Sequence, residues 1–176
     1  MKYYPQAWHL FTRFFFGDQL EVTALPAEHL QVSLGLGYQD AKITHSGNDS
    51  PQQPGDPVFQ VRDWTGNASA TWTQAVWGSD RIVTSVDYSY VGRSFSANNL
   101  STLNGFSTRE RPAYELTNAR VALAHNDWEL AFVAKNIANE HANLSDSRSI
   151  AAEVTGRPRL VVNQPRTVGL EFRAHF

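Results

Sequence analysis

The sequence predicts an all-β fold: an antiparallel transmembrane β-barrel segment of about seven or eight meander strands, with short periplasmic turns and long extracellular loops. Three observations predict it. Apolar and polar residues alternate with a period of two in stretch after stretch, so each strand carries one greasy and one polar face. These stretches exceed the ~5–6 residues common in soluble strands and match the ~9–11 that cross a bilayer at a tilt. Their connections run short, long, short, long, short, long, the layout of outer-membrane barrels.

Taken in order, the first clear strand is Gly17 to Ala27, with Leu20, Val22 and Ala24 on one side. Leu30 to Ile43 follows and sets Leu30, Val32, Leu34, Leu36 and Tyr38 against Gln31, Ser33, Gly35, Gly37 and Gln39. Thr44 to Asp63 reads as a long loop, because its prolines and glycines exclude a central strand. Trp64 to Trp77 alternates Ala68, Ala70, Trp72 and Val76 with Asn67, Ser69, Thr71 and Thr73, and Gly78-Ser79-Asp80 turns it. Arg81 to Arg93 opposes Ile82, Val86, Tyr88 and Tyr90 to Ser85, Asp87 and Ser89. A second long loop spans Ser94 to Pro112. Ala113 to Ala124, a turn at His125-Asn126-Asp127, and Trp128 to Asn136 come next. A third loop, Ile137 to Gln164, leads to the closing strand Pro165 to Phe176, where Val168, Leu170, Phe172, Ala174 and Phe176 share one face. An eighth strand fits within Lys2 to Phe16. Trp72, Trp77, Tyr88, Tyr90, Trp128, Phe172 and Phe176 sit where interfacial aromatic girdles belong.

Composition bounds the chemistry. A chain of 176 residues with formal net charge −2 shows no nucleic-acid footprint. The absence of cysteine removes disulfides and thiolate metal sites. No apolar run reaches the ~18 residues of a membrane-spanning helix, which leaves a strand-built membrane protein open. The six histidines lack metal-ligand spacing, and neither a Ser-His-Asp arrangement nor a phosphate loop occurs, so neither metal nor enzyme is expected. Residues 1–16 form an atypical stretch in which Thr12 and Arg13 interrupt the apolar run that a secretory signal needs. The sequence reading therefore expects no signal peptide here, and either a partial strand or a spurious start.

Several strands resemble the C-terminal end of TonB-dependent outer-membrane receptors. Pro112-Ala113-Tyr114-Glu115-Leu116-Thr117-Asn118-Ala119-Arg120-Val121 is similar to that family's tyrosine-then-"N-A-R-hydrophobic" strand. Trp128-Glu129-Leu130-Ala131-Phe132-Val133-Ala134-Lys135-Asn136-Ile137 resembles the strand that follows it, and Gln164 to Phe172 resembles the closing "P-R-T-hydrophobic-G-hydrophobic" strand. Tyr88-Ser89-Tyr90-Val91-Gly92 and Gly17 to Glu21 resemble two earlier strands, with Gln19 in place of a glutamate. The resemblance covers residues 17–176. It implies the outer membrane of a bacterium and a share in a barrel of about 22 strands around an N-terminal plug. It also implies capture of a scarce ligand, foremost a ferric siderophore, with haem or cobalamin as others, and energy drawn from TonB through a segment not expected within this sequence. The expected reading is a truncated receptor fragment that does not transport alone. A self-contained small outer-membrane barrel with a structural or adhesive role is the alternative, and a soluble β-sandwich is a third.

Candidate sites follow from the faces. Asp87, Arg120, Lys135, Glu171 and Arg173 fall on the polar face and are expected to line a lumen, since a lysine facing mid-bilayer lipid costs ~2–4 kcal/mol. Asn136 is expected to be structural. Arg109, Glu110 and Arg111 in the second long loop are candidates to meet an anionic siderophore or lipopolysaccharide. Leu170, Phe172 and the terminal Phe176 resemble the signal read by the barrel-assembly machinery.

Overall fold

The computed structural model describes residues 9–11, 17–44, 54–96, 109–147 and 159–174, and every regular element among them is a strand. The strands are β1 (His9–Phe11), β2 (Asp18–Ala27), β3 (Leu30–Tyr38), β4 (Trp64–Ala75), β5 (Arg81–Val91), β6 (Ser94–Ser96), β7 (Arg109–Arg111), β8 (Tyr114–Ala124), β9 (Trp128–Lys135), β10 (Asn143–Ser147), β11 (Arg159–Val162) and β12 (Thr167–Ala174). Eight form one antiparallel sheet in the order β1-β2-β3-β4-β5-β8-β9-β12. The sheet is open, with β1 and β12 at its two ends.

The register carries the sequence alternation across the whole sheet. One row reads Ala24, Val32, Ala70, Val86, Ala119, Ala134, Val168, each beside the next. The next apolar row reads Leu30, Trp72, Thr84, Val121, Phe132, Leu170. A one-residue slip in any pair would move that strand's apolar set to the other face, so matching hydrophobic rows fix the register. These residues do not pack inward. Leu34, Trp72, Val121, Phe132, Val168 and Leu170 are all exposed, Leu170 to 73%. An exposed apolar face of this extent is untenable in water and suits lipid.

Aromatic residues bound that face. Tyr38 and Trp64 pair at the long-loop end, ring centroids 4.6 Å apart. Trp72 lies toward the short-turn end, where Trp128 also stacks on Phe172 at 6.5 Å. Eight residue steps separate Trp64 from Trp72, roughly 26 Å of strand and roughly 20 Å of depth at a 40° tilt. That is close to one hydrocarbon layer.

The opposite face holds what little core exists. Ala122 and Ala131, neighbours on β8 and β9, are fully buried on the polar side. On the same face, one residue pair to either side, stand the charged side chains of Arg120 and Glu129.

The turns at one end are tight. Residues 28–29 link β2 to β3, with His29 at φ 68°, and residues 76–80 link β4 to β5 through the backbone bonds Val76 N–H to Asp80 O and Asp80 N–H to Trp77 O. The loops at the other end depart from expectation. The second strand does not run on to Ile43. It stops at Tyr38, and Ala41 to Ile43 instead pair with Gly55 to Val58 within the loop, because Ile43 N–H reaches Asp56 O and Val58 N–H reaches Ala41 O. Likewise the second and third long loops contain hairpins, β6 with β7 and β10 with β11. Backbone groups in long polar loops need partners as strongly as those in the sheet, and local ladders supply them.

Candidate functional site

Three constructions are built on this sheet: a charged patch on its polar face, a knot at the root of β12, and a cluster among the long loops. The charged patch joins the last three strands of the sheet. Alternation sends Arg120 of β8, Glu129 of β9, and Glu171 and Arg173 of β12 to the same side. There they close a ring of alternating sign: Arg120 to Glu129 at 2.5 Å, Glu129 to Arg173 at 3.8 Å, Arg173 to Glu171 at 3.6 Å, and Glu171 to Arg120 at 3.9 Å. The ring stands over the buried Ala122 and Ala131. The Arg120–Glu129 pair is half-buried and hydrogen-bonded, so it carries most of the energy, of order 1–3 kcal/mol. The pairs to Arg173, whose side chain is largely exposed, are each worth about 0–1 kcal/mol.

The knot is centred on Asn136, only 4% exposed and held at φ 50°. Asparagine tolerates this left-handed conformation better than most residues. Its Oδ1 accepts from Glu140 N–H, and its Nδ2 donates to the carbonyls of Glu140 and Gln164, all at 2.9 Å. Its own N–H donates to Asn118 Oδ1 on β8. Asn163 adds a second clamp, accepting from Ala142 N–H and donating to Glu140 O. Arg166 N–H donates to Asn139 Oδ1. Together these bonds tie the exit of β9 to the entry of β12 across the intervening loop.

The loop cluster converges on Arg62 and Asp63. Arg62 donates to Leu144 O of β10 and lies over the Tyr114 ring, 5.6 Å from its centroid. Gln60 N–H donates to Phe95 O of β6. Arg93 meets Asp63 at 3.3 Å. Gly92 makes the approach possible: its N–H donates to Trp64 O at 2.7 Å, and a Cβ added there would lie 2.7 Å from that same oxygen. All three long loops are thus pinned together at their roots.

The expected site residues distribute as follows. Asp87, Arg120, Lys135, Glu171 and Arg173 all lie on the polar face, in register with Ser69, Ser85, Thr167, Ala131 and Glu129 respectively. Arg120, Glu171 and Arg173 are brought together; Asp87 and Lys135 stand apart from them. Glu110 is exposed, whereas Arg111, expected to face a ligand, is only 4% exposed and pairs through β7 with Ser94, because the β6–β7 ladder turns its side chain inward. Leu170 and Phe172 lie on the exposed apolar face of β12, and Phe176 falls outside the described residues. Sequence reasoning missed Glu129, although the alternation that placed Arg120 on the polar face places it there too. It also missed Arg62 and Asp63, for which no local signal exists. Among the described residues no group of three His, Asp or Glu could hold a metal ion.

An open antiparallel sheet with a lipid-suited face, girdled ends and long-loop hairpins limits the candidates sharply, and the family comparison decides among them. The family described as TonB dependent receptor-like, beta-barrel, matches residues 8–137. The chain belongs to the TonB-dependent receptor β-barrel family. Comparison with curated proteins and with solved structures gives no match. Membership in this receptor family sets the bacterial outer membrane as its context and makes the seven long strands transmembrane strands of a receptor barrel. The soluble sandwich loses its support, since both the family and the exposed apolar rows speak against it.

Proposed function

We propose that this chain, from β1 onward, is the C-terminal portion of the barrel of a TonB-dependent receptor that takes up a scarce ligand, most simply a ferric siderophore. The observation that carries this reading is the open sheet: β1 and β12 are its ends, and unpaired backbone groups in hydrocarbon each cost several kcal/mol. Further strands meet that cost by pairing with both edges. On this reading the polar face lines a lumen. The ring of Arg120, Glu129, Glu171 and Arg173 offers both charge signs to a plug, and Asp87 and Lys135 set the field of the wall. Of the candidates on β7, the exposed Glu110 and its neighbour Arg109 meet the ligand from the loop cluster, whereas Arg111, buried beside Ser94, supports β7 and does not reach it. Leu170, Phe172 and Phe176 are read by the barrel-assembly machinery, and TonB acts through a plug-side segment. The role is transport and not catalysis.

An eight-stranded sheet is also the number that closes the smallest membrane barrels, so a self-contained barrel with an adhesive or structural role is the second reading. Because the sequence has no cysteine, one cysteine placed in β1 and one in β12 form a clean test. Rapid intramolecular disulfide formation in the membrane would establish closure and refute the open-segment reading. Uptake is tested separately. Cells lacking the gene should lose growth on a ferric siderophore under iron limitation; unaffected growth on every ferric siderophore, haem and cobalamin source would sink the transport reading.

A further inference from the structure

On the polar face of the sheet, toward its long-loop end, β2 to β5 and the segment leading into β4 line a cleft of about 660 Å³. Register places it. Gln19, Gly37, Thr65 and Val91 form one row across these strands, and Gly35, Asn67 and Ser89 belong to the next row on the same face. The floor is bare backbone at β3. A Cβ added at Gly35 would collide with Asn67 Oδ1, so the missing side chain leaves the Asn67 amide room to lie across β3. A Cβ at Gly37 would lie 2.8 Å from Thr65 Oγ1, and the Thr65 hydroxyl uses that space in the same way. The floor therefore presents an amide and a hydroxyl supplied by β4.

The lining is polar without being charged. Its amides and hydroxyls come from Gln19, Gln39, Gln60, Thr65, Asn67 and Ser89. Two charged residues, Asp18 and Arg62, also border it. Asp18 precedes Gln19 on β2, so alternation turns its side chain to the opposite face. Arg62 is already engaged, donating to Leu144 O and lying over the Tyr114 ring. Carboxylates flank the floor from the same face. Glu21 pairs with Gly35 and accepts from Gln19 Nε2 at 2.6 Å, and Asp87 lies one row further on beside Ser69. A polyanion entering here meets repulsion from both carboxylates, and the nearest cation is held elsewhere. Amides and hydroxyls each donate and accept, so the lining matches a solute that presents hydroxyls and carbonyls and carries no net charge.

We propose that this cleft is a binding subsite for an uncharged solute rich in hydroxyl and carbonyl groups, with Asn67 as its central contact. The Asn67 amide nitrogen donates to a ligand oxygen, and Oδ1 accepts from a ligand hydroxyl. Thr65 and Ser89 extend the contact along and across the strands. Gly35 is a positioning residue that acts through Asn67. The ligand class depends on the receptor reading above and narrows it. A neutral saccharide and a neutral metal chelate share the required chemistry, and a polyanionic chelate lacks it.

Protein extracted from native outer membranes, with whatever strands complete its barrel, is titrated in detergent by calorimetry with three probes. They are a neutral glucose oligosaccharide, a neutral ferric tris-hydroxamate chelate and a trianionic ferric tris-catecholate chelate. One neutral probe should bind about tenfold or more tightly than the trianionic one, and its identity names the source of the ligand. Asn67→Ala should weaken that binding about tenfold. Gly35→Ala should weaken it by a similar factor, because its Cβ displaces the Asn67 amide, and should add less than about twofold in the Asn67→Ala background. Ser89→Lys brings a cation to the wall and should shrink the preference over the trianionic chelate about fivefold or more. Heat-modifiable migration on gels reports that each variant still folds. Equal or tighter binding of the trianionic chelate overturns the uncharged class and leaves the receptor reading standing. Binding of neither neutral probe overturns the subsite, and full additivity of the Gly35 and Asn67 losses overturns the role of Asn67. The receptor reading itself falls only with the growth test described above.

Discussion

Asn136→Ala should be among the most damaging single changes in the described chain. Alanine removes three side-chain hydrogen bonds, one accepted from Glu140 N–H and two donated to the Glu140 and Gln164 carbonyls. At about 1 kcal/mol each these amount to about 3 kcal/mol. The two carbonyls keep Asn163 as a donor, but Glu140 N–H loses its side-chain acceptor within a half-buried turn. Alanine must also hold φ near 50°, which costs about 1 kcal/mol more than asparagine does. The sum is about 4 kcal/mol, a large part of the ~5–15 kcal/mol that holds a domain folded. Asn136→Gly removes the same bonds without the backbone cost and should lose about 3 kcal/mol, so the difference between the two isolates the backbone contribution. Urea unfolding from lipid vesicles, followed by gel mobility of unheated samples, measures the totals. Hydrogen exchange at the Glu140 and Ala142 amides measures the local effect. An alanine variant within 0.5 kcal/mol of the unaltered protein would show that the asparagine bonds merely decorate a turn held by something else.

The faces supply a paired prediction. Leu170→Lys on the exposed apolar row should cost ~2–4 kcal/mol in vesicles, while Thr71→Lys on the polar face should cost less than 1 kcal/mol; equal costs would refute the assignment of faces. Arg120→Met should destabilise by about 2 kcal/mol, and a double-mutant cycle with Glu129→Gln should return a coupling of about 1–2 kcal/mol, against near zero for Arg173 with Glu171. The Lys42–Asp40 pair has a defined pH sign. Because the folded pKa is raised, its contribution is fully present below the ordinary value of 10.5 and fades only as pH rises through the higher folded value. An NMR titration of the Lys42 ammonium should therefore run later than that of a lysine peptide, and Asp40→Asn should bring it back.

Much of this protein is legible without coordinates because its main signal is local. The period-two alternation in Leu30 to Tyr38 or Val168 to Ala174 needs only the geometry of one strand, and it fixed the strand faces and the placement of Arg120, Glu171 and Arg173 on a common side. The loop alternation followed from proline and glycine density, again a local property. The failures were also physical. Alternation persists through Gln39 to Ile43, so the second strand read too long. Only the competing partners Gly55 to Val58, more than ten residues downstream, end it at Tyr38. Asn136 read as structural, but its side-chain partners at 140 and 164 could not be inferred from a strand motif.

By itself the sequence determined the fold class, the order and faces of the long strands, and the solvent each face suits, because side-chain direction repeats every two residues. Tertiary structure alone decided which charges meet and which loops touch. Arg120, Glu129 and Glu171 become neighbours through the pairing of β8, β9 and β12. Arg62 reaches Leu144 and Tyr114 although β4 is adjacent to neither β8 nor β9 in the sheet, because loop segments far apart in the chain meet beyond the strand ends. Those contacts depend on register between distant segments, and register is settled by all the rows of the sheet together.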